Sequence, residues 1–227
     1  MGPIGAGKSR TIKILSGILT PTSGQCAVGG LVPWQDRIAH VGRVGVVFGQ
    51  RTQLWWDLPV IESFNLLRDI YRVPEARFRV TADRMIGLLG LEPHLDTPVR
   101  QLSLGQRMRA DIAAAMLHEP RILFLDEPTA GVDVELRHDL WNIVRSLRES
   151  GVTIILTTHY IEEAEQLADR VGVINHGEII LVEEKNRLMR EVGKKQLELQ
   201  WSASLVAVPA ELNEYHLELN ESGSERT

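Results

Sequence analysis

Glycine, lysine and serine crowd the front of this chain, where Gly2-Pro-Ile-Gly5-Ala6-Gly7-Lys8-Ser9 leads into apolar Ile12, Ile14, Leu15, Ile18 and Leu19 at helical spacing. No other feature constrains the fold as strongly. A Gly-x4-Gly-Lys-Ser loop that opens a helix, here expected over residues 10–19, matches the phosphate-binding P-loop. Its glycines let backbone N–H groups converge on phosphate oxygens, and the helix N-terminus adds its dipole. In that reading Lys8 sets a point charge on the β- and γ-phosphates, and the Ser9 hydroxyl ligates Mg²⁺. The plainer alternative is a glycine loop that merely starts a helix.

The rest of the pattern supplies a sheet for such a loop. The turn Thr20-Pro-Thr-Ser-Gly24 closes the first helix, and residues 28–30 and Val44–Phe48 read as short strands. Residues 122–125 are four apolar residues between Pro120 and Asp126, the mark of a fully buried parallel strand. A helix is expected over 135–150, then a further buried strand over 152–156. Helical spacing dominates 59–118, in three stretches at 61–71, 76–89 and 103–118, and reads as an inserted helical subdomain. Alternating strands and helices argue an α/β fold with a mainly parallel core sheet. Past Gly193 alternation returns at Leu197, Leu199, Trp201 and Tyr215 to Leu219, before a polar tail.

Two further elements carry chemistry. Ile-Leu-Phe-Leu-Asp126-Glu127 ends a buried strand in a carboxylate, which sets Asp126 at the carboxyl edge of the sheet, where ligands bind in open α/β folds. There Asp126 holds the magnesium shell and Glu127 accepts a proton from an attacking water. Away from a P-loop the same pair serves as a helix cap or a solvated turn. In Leu102-Ser103-Leu104-Gly105-Gln106 the Ser103 and Gln106 spacing is a capping box, so a helix starts there. Its N-terminus is a second anion site or simply a well-capped core helix.

In this order the motifs resemble those of the ATP-binding cassette (ABC) ATPases, P-loop NTPases. The resemblance covers residues 2–159: the P-loop, a Q-loop glutamine at Gln50, the Leu-Ser-x-Gly-Gln signature, Asp126-Glu127, a D-loop Asp133 and a switch histidine at His159. The ATPase subunits of ABC-2-type exporters look most similar, through Gln53-Leu-Trp55-Trp56-Asp-Leu-Pro and the stretch around His159. The resemblance implies ATP and Mg²⁺ as cofactors, with Gly2, Gly5, Ala6, Gly7, Lys8, Ser9 and Arg10 at the phosphates. It implies Ser9, Gln50 and Asp126 at the metal, and Glu127, His159 and Gln50 in hydrolysis. Ser103, Gly105 and Gln106 would act in trans in a homodimer or heterodimer, with Asp133 between the two. Trp55 and Trp56 would meet an integral membrane permease subunit, or pack into the helical subdomain. The expected place is the cytoplasmic face of the cell membrane.

The same resemblance marks departures. Family members carry a β-rich segment before the P-loop, with an adenine-stacking aromatic residue, whereas only Met1 precedes Gly2 here. Arg10 stands where a second Ser or Thr is usual, and Ile4 where Asn is common. The expectation is an ABC ATPase domain over 1–190, N-terminally incomplete, with its helical subdomain at about 55–118. Residues 191–227 are expected to begin a C-terminal extension, partly disordered. A truncated, catalytically impaired nucleotide-binding fragment is the rival to an exporter motor.

Net charge excludes little else. Twenty-five basic against 30 acidic residues leave −5, which argues against a chain that grips nucleic-acid phosphates; Arg107 and Arg109 read as a solvated helix face. A soluble ABC ATPase acting on ribosomes or DNA fits less well than a transport subunit. One cysteine, Cys26, forms neither an internal disulfide nor a zinc cluster. The longest charge-free run, residues 14–35, is broken by Gly, Pro, Ser, Thr and Gln and does not read as a spanning helix.

Overall fold

The structure, a computed structural model, describes residues 1–49 and 51–192; Gln50 and the strands expected beyond Gly193 lie outside the described residues. Residues Met1–Met189 make one compact unit. Its centre is a parallel sheet of β1 (Val44–Phe48), β2 (Ile122–Asp126) and β3 (Thr153–Thr157), in that order. Phe48 pairs with Asp126 and Asp126 with Thr157, so the three strands end level at one edge.

Side chains alternate across this sheet with period two. Val44, Val46, Phe48, Ile122 and Phe124 turn to one face, where Ile12 and Leu15 of α1 (Lys8–Leu15) cover them. Val47, Leu123, Leu125, Ile154 and Leu156 turn to the other face and join the larger core. That core is built on α3 (Val60–Tyr71), α4 (Glu75–Leu89), α5 (Leu104–Met116) and α6 (Val134–Glu149). A short α2 (Arg37–Val41) precedes β1. Helices on both faces explain why β2 reads as an unbroken apolar run. Close approach of α5 to β1 requires Gly45, because a Cβ there would lie 2.6 Å from the Ala115 carbonyl oxygen.

Differences from the expected elements have local causes. Helix α1 begins two residues early, on the left-handed Gly7 (φ 102°), and ends at Ser16 because Gly17 (φ 77°) turns left-handed against Pro33. Residues 28–30 form no strand; Val28 makes a single bridge with Leu31. β3 is half-open rather than fully buried: the cluster under α1 reaches only β1 and β2, so Ile155 stays 37% exposed.

After α7 (Ile161–Leu167) comes an antiparallel hairpin of β4 (Arg170–Asn175) and β5 (Glu178–Glu184), and then α8 (Lys185–Val192). Met1 and Gly2 run between β3 and β4. The Met1 ammonium donates to the Gly172 carbonyl, Ile174 N–H donates to Met1 O (2.8 Å), and Gly2 N–H donates to Thr158 O (3.3 Å).

Candidate functional site

The loop before α1 is folded by its glycines. Gly5 and Gly7 both hold positive φ (82° and 102°), a backbone that side chains rarely adopt. Gly2 presses on β4 so closely that a Cβ would lie 2.1 Å from the Ile174 carbonyl oxygen. Ala6 is buried, and its carbonyl accepts from the N–H of Gly177 in the β4–β5 turn (2.9 Å). The loop thus curls over the Lys8 side chain, which is only 4% exposed. Lys8 Nζ donates to Gly2 O (2.7 Å) and Pro3 O (2.9 Å) and lies 3.2 Å from Glu127 Oε1.

The level strand ends supply the opposite wall. Asp126, 8% exposed, accepts at Oδ1 from Ser9 Oγ (3.1 Å) and Thr157 Oγ1 (2.5 Å). Among the described residues no cation pairs with it, although buried carboxylates normally have one. Glu127 turns out of the strand with φ 50° and donates its N–H to Thr157 O (3.1 Å) and Oγ1 (3.2 Å). That turn sets its carboxylate between Lys8 and His159, whose Nδ1 is 3.7 Å from Glu127 Oε2. Lys8, Ser9, Asp126, Glu127 and His159, separated by up to 151 residues in sequence, therefore share one site. Thr157 belongs with them and carried no motif; its sign was the Thr157-Thr158-His159 run at a strand end. Arg10 is exposed.

The start of α5 stands apart. Ser103 Oγ accepts from Gln106 N–H (3.2 Å) and Gln106 Oε1 from Ser103 N–H (2.8 Å), the capping box expected from spacing. Ser103 is exposed, and no hydrogen bond or ion pair among the described residues joins Ser103, Gly105 or Gln106 to Lys8, Ser9 or Asp126. Gly105 is buried against α6, whose N-cap Asp133 accepts from Leu136 N–H (2.8 Å). A Cβ at Gly105 would lie 2.1 Å from Leu136 Cδ2. Gly105→Ala is accordingly expected to lower unfolding free energy by about 1–3 kcal/mol, the usual cost of overpacking. Urea unfolding checks this, and adding Leu136→Ala should make the second loss smaller than either predicts alone.

The segment after Gln50 is pinned to α5. Asp111 Oδ1 accepts from Thr52 Oγ1 (2.9 Å) and Gln53 N–H (3.0 Å), and Gln53 Nε2 donates to Asp111 O (2.9 Å). Trp55 and Trp56 follow, 38% and 50% exposed, with the Arg107 guanidinium 5.5 Å above the Trp56 ring. Burial pushes the Asp111 carboxyl up to about 6, against the pull of its hydrogen bonds. A raised acid binds its proton more tightly folded than unfolded, so the cost of burying the charge is absent below pH ~4. It grows between pH ~4 and 6 and is complete above, at about 3 kcal/mol. Asp111→Asn keeps the acceptor and removes the charge. Thermal unfolding should show it more stable than the parent at pH 7.5 and equal to it near pH 4; a loss at pH 7.5 would show the carboxylate to be net favourable.

Comparisons with known proteins place the chain in a family. A family model described as ABC transporter matches residues 1–130. The daunorubicin resistance ATP-binding protein DrrA3 of Streptomyces coeruleorubidus is 37% identical over 199 residues, 88% of this chain and 63% of that protein. The Nod factor export ATP-binding protein I of Ralstonia nicotianae is 38% identical over 195 residues, 85% of this chain and 60% of that protein. The chain spans about three fifths of the length of these curated relatives. Among solved structures, a dimeric post-hydrolysis state of the ATP-binding cassette MJ0796, bound to ADP and Pi, superposes with a TM-score of 0.71. It is 28% identical, over 82% of this chain and 83% of that one. With a family model over more than half its length and the motif residues gathered into one site, this chain belongs to the ABC transporter family.

Proposed function

We propose that the chain binds and hydrolyses ATP and, as one of a dimer of ATPase domains, powers an ABC-type membrane exporter. The observation that carries this is the convergence of Lys8, Ser9, Asp126, Glu127 and His159 beneath the glycine loop. Lys8 Nζ now shares its charge between two carbonyls and Glu127. An arriving triphosphate competes for that ammonium, and its binding frees the Glu127 carboxylate to take a proton from water. His159, on the far side of Glu127, meets the γ-phosphate or the attacking water.

The buried Asp126, which has no cation partner among the described residues, and the Ser9 hydroxyl beside it form a hard-oxygen pair suited to Mg²⁺, which would neutralise developing phosphate charge when bound. Gln50 is assigned to the same shell. Gly2, Gly5, Ala6, Gly7 and Arg10 complete the phosphate contacts.

Ser103, Gly105 and Gln106 do not reach their own P-loop, which supports their use in trans, with Asp133 at the junction. The dimeric relative supports pairing of like domains. Exposed Trp55 and Trp56 offer aromatic anchors for a permease subunit at the cytoplasmic face of the membrane. Among the described residues no helix is long and apolar enough to cross a membrane. Export as the direction follows the relative named for Nod factor export. Residues 1–190 form the ATPase unit, with 55–118 as its helical subdomain. Calorimetric titration with Mg-ATP and a phosphate-release assay test the reading; absence of nucleotide binding would overturn it.

A further inference from the structure

Two residues given no role so far, Arg137 and Tyr160, stand where the site meets α6. The Tyr160 and His159 rings lie 4.0 Å apart between centroids, tilted by 39°. Tyr160 N–H donates to Thr158 Oγ1 (2.9 Å), which steadies the chain between the two rings. Arg137, in the first turns of α6, places its guanidinium carbon 4.5 Å from the centre of the Tyr160 ring, within cation–π range. Arg137 Nε is buried without a hydrogen-bond partner, and no carboxylate pairs with Arg137 among the described residues. Its charge therefore faces an aromatic ring rather than an anion.

His159 needs such support. Its Nδ1 is buried without a hydrogen-bond partner among the described residues, and 3.7 Å to Glu127 is too long for a hydrogen bond. The Tyr160 ring lies against the side of the imidazole, and the Arg137 guanidinium lies over that ring from α6. We propose that Tyr160 and Arg137 are positioning residues that hold the His159 ring beside Glu127, tying its orientation to the helix that Asp133 caps. This rests on the reading above, in which His159 acts at the γ-phosphate.

The test uses the full chain and the variants Tyr160→Leu, Tyr160→Phe and Arg137→Met, which keep side-chain bulk. Proton NMR of the His159 ring, identified through His159→Gln, should show an upfield ring-current shift that Tyr160→Leu removes and Tyr160→Phe retains. Tyr160→Leu should lower kcat for ATP about tenfold with KM within twofold, as expected when a group is misplaced rather than lost. Tyr160→Phe should restore kcat, and Arg137→Met should lower it about threefold. Unmoved His159 resonances in Tyr160→Leu, or a change confined to KM, would overturn the proposal. Absent turnover in the parent chain would instead defeat the functional reading, and the resonances would still decide the positioning role.

Discussion

Replacing Glu127 with glutamine is expected to lower ATP turnover by about 10²–10⁴-fold, the usual worth of a positioned general base. Glutamine keeps the shape of the side chain but accepts a proton from water far less readily. Binding should move the other way. Glu127 Oε1 holds Lys8 Nζ at 3.2 Å, and a triphosphate must compete with that ion pair. The neutral amide oxygen still accepts from the ammonium but holds it less strongly, so Mg-ATP should bind at least as tightly as in the parent. Stability adds a third readout. The Lys8 side chain is only 4% exposed, and without Glu127 it keeps two carbonyl acceptors but no counter-ion. The unliganded variant should lose about 2 kcal/mol, in the range for removing one partner of a hydrogen bond to a charged group. Saturating Mg-ATP should return it, because phosphate replaces the missing anion and a ligand that binds only the folded state stabilises it. Phosphate release, calorimetry and thermal unfolding with and without Mg-ATP check the three parts. Turnover within tenfold of the parent would remove Glu127 from the role of base.

Much of this site was legible because its chemistry is local in sequence. The Gly-rich loop, the strand that ends in Asp126-Glu127 and the Ser103 capping box each announce themselves within a few residues, through turn geometry, apolar runs and cap spacing. β1 and β2 were legible for the same reason: buried on both faces, they read as continuous apolar runs. β4 and β5 were not. β5 does hold a run of four apolar residues, 179–182, but Glu178, Glu183 and Glu184 flank it and Ile179, Ile180 and Val182 are exposed, so it is not the buried run that marks β2. Thr157 was missed because its work is relational. Its hydroxyl joins the Asp126 carboxylate to the Glu127 N–H, a role set by strand register rather than by neighbours in sequence. Gly105 carries a demand that its motif did not show. The motif suggested an anion contact, but packing adds a second demand, since Leu136 of the same chain occupies the space a side chain would need.

Lys8→Ala should be the most damaging change to nucleotide affinity. A charge-assisted hydrogen bond is worth about 1.5–3 kcal/mol, or roughly a 10- to 150-fold weakening of Mg-ATP binding. Arginine should not rescue it. The cradle formed by Gly2 O at 2.7 Å, Pro3 O at 2.9 Å and Glu127 fits a compact ammonium, and a planar guanidinium presents its donors in a fixed fork. Lys8 also ties the loop's first two carbonyls to the strand end, so alanine removes a structural contact along with the charge. A double-mutant cycle separates these contributions. In Lys8→Ala the Glu127 carboxylate is left without its cation, whereas in Lys8→Ala with Glu127→Gln neither charge remains. Unliganded stability should therefore fall less in the double variant than the two single losses sum to. Affinity should follow a different rule: Glu127→Gln offers phosphate no replacement cation, so the double variant should bind Mg-ATP as weakly as Lys8→Ala alone. If affinity recovered together with stability, Lys8 would be acting through the shape of the loop and not through its charge on the phosphates.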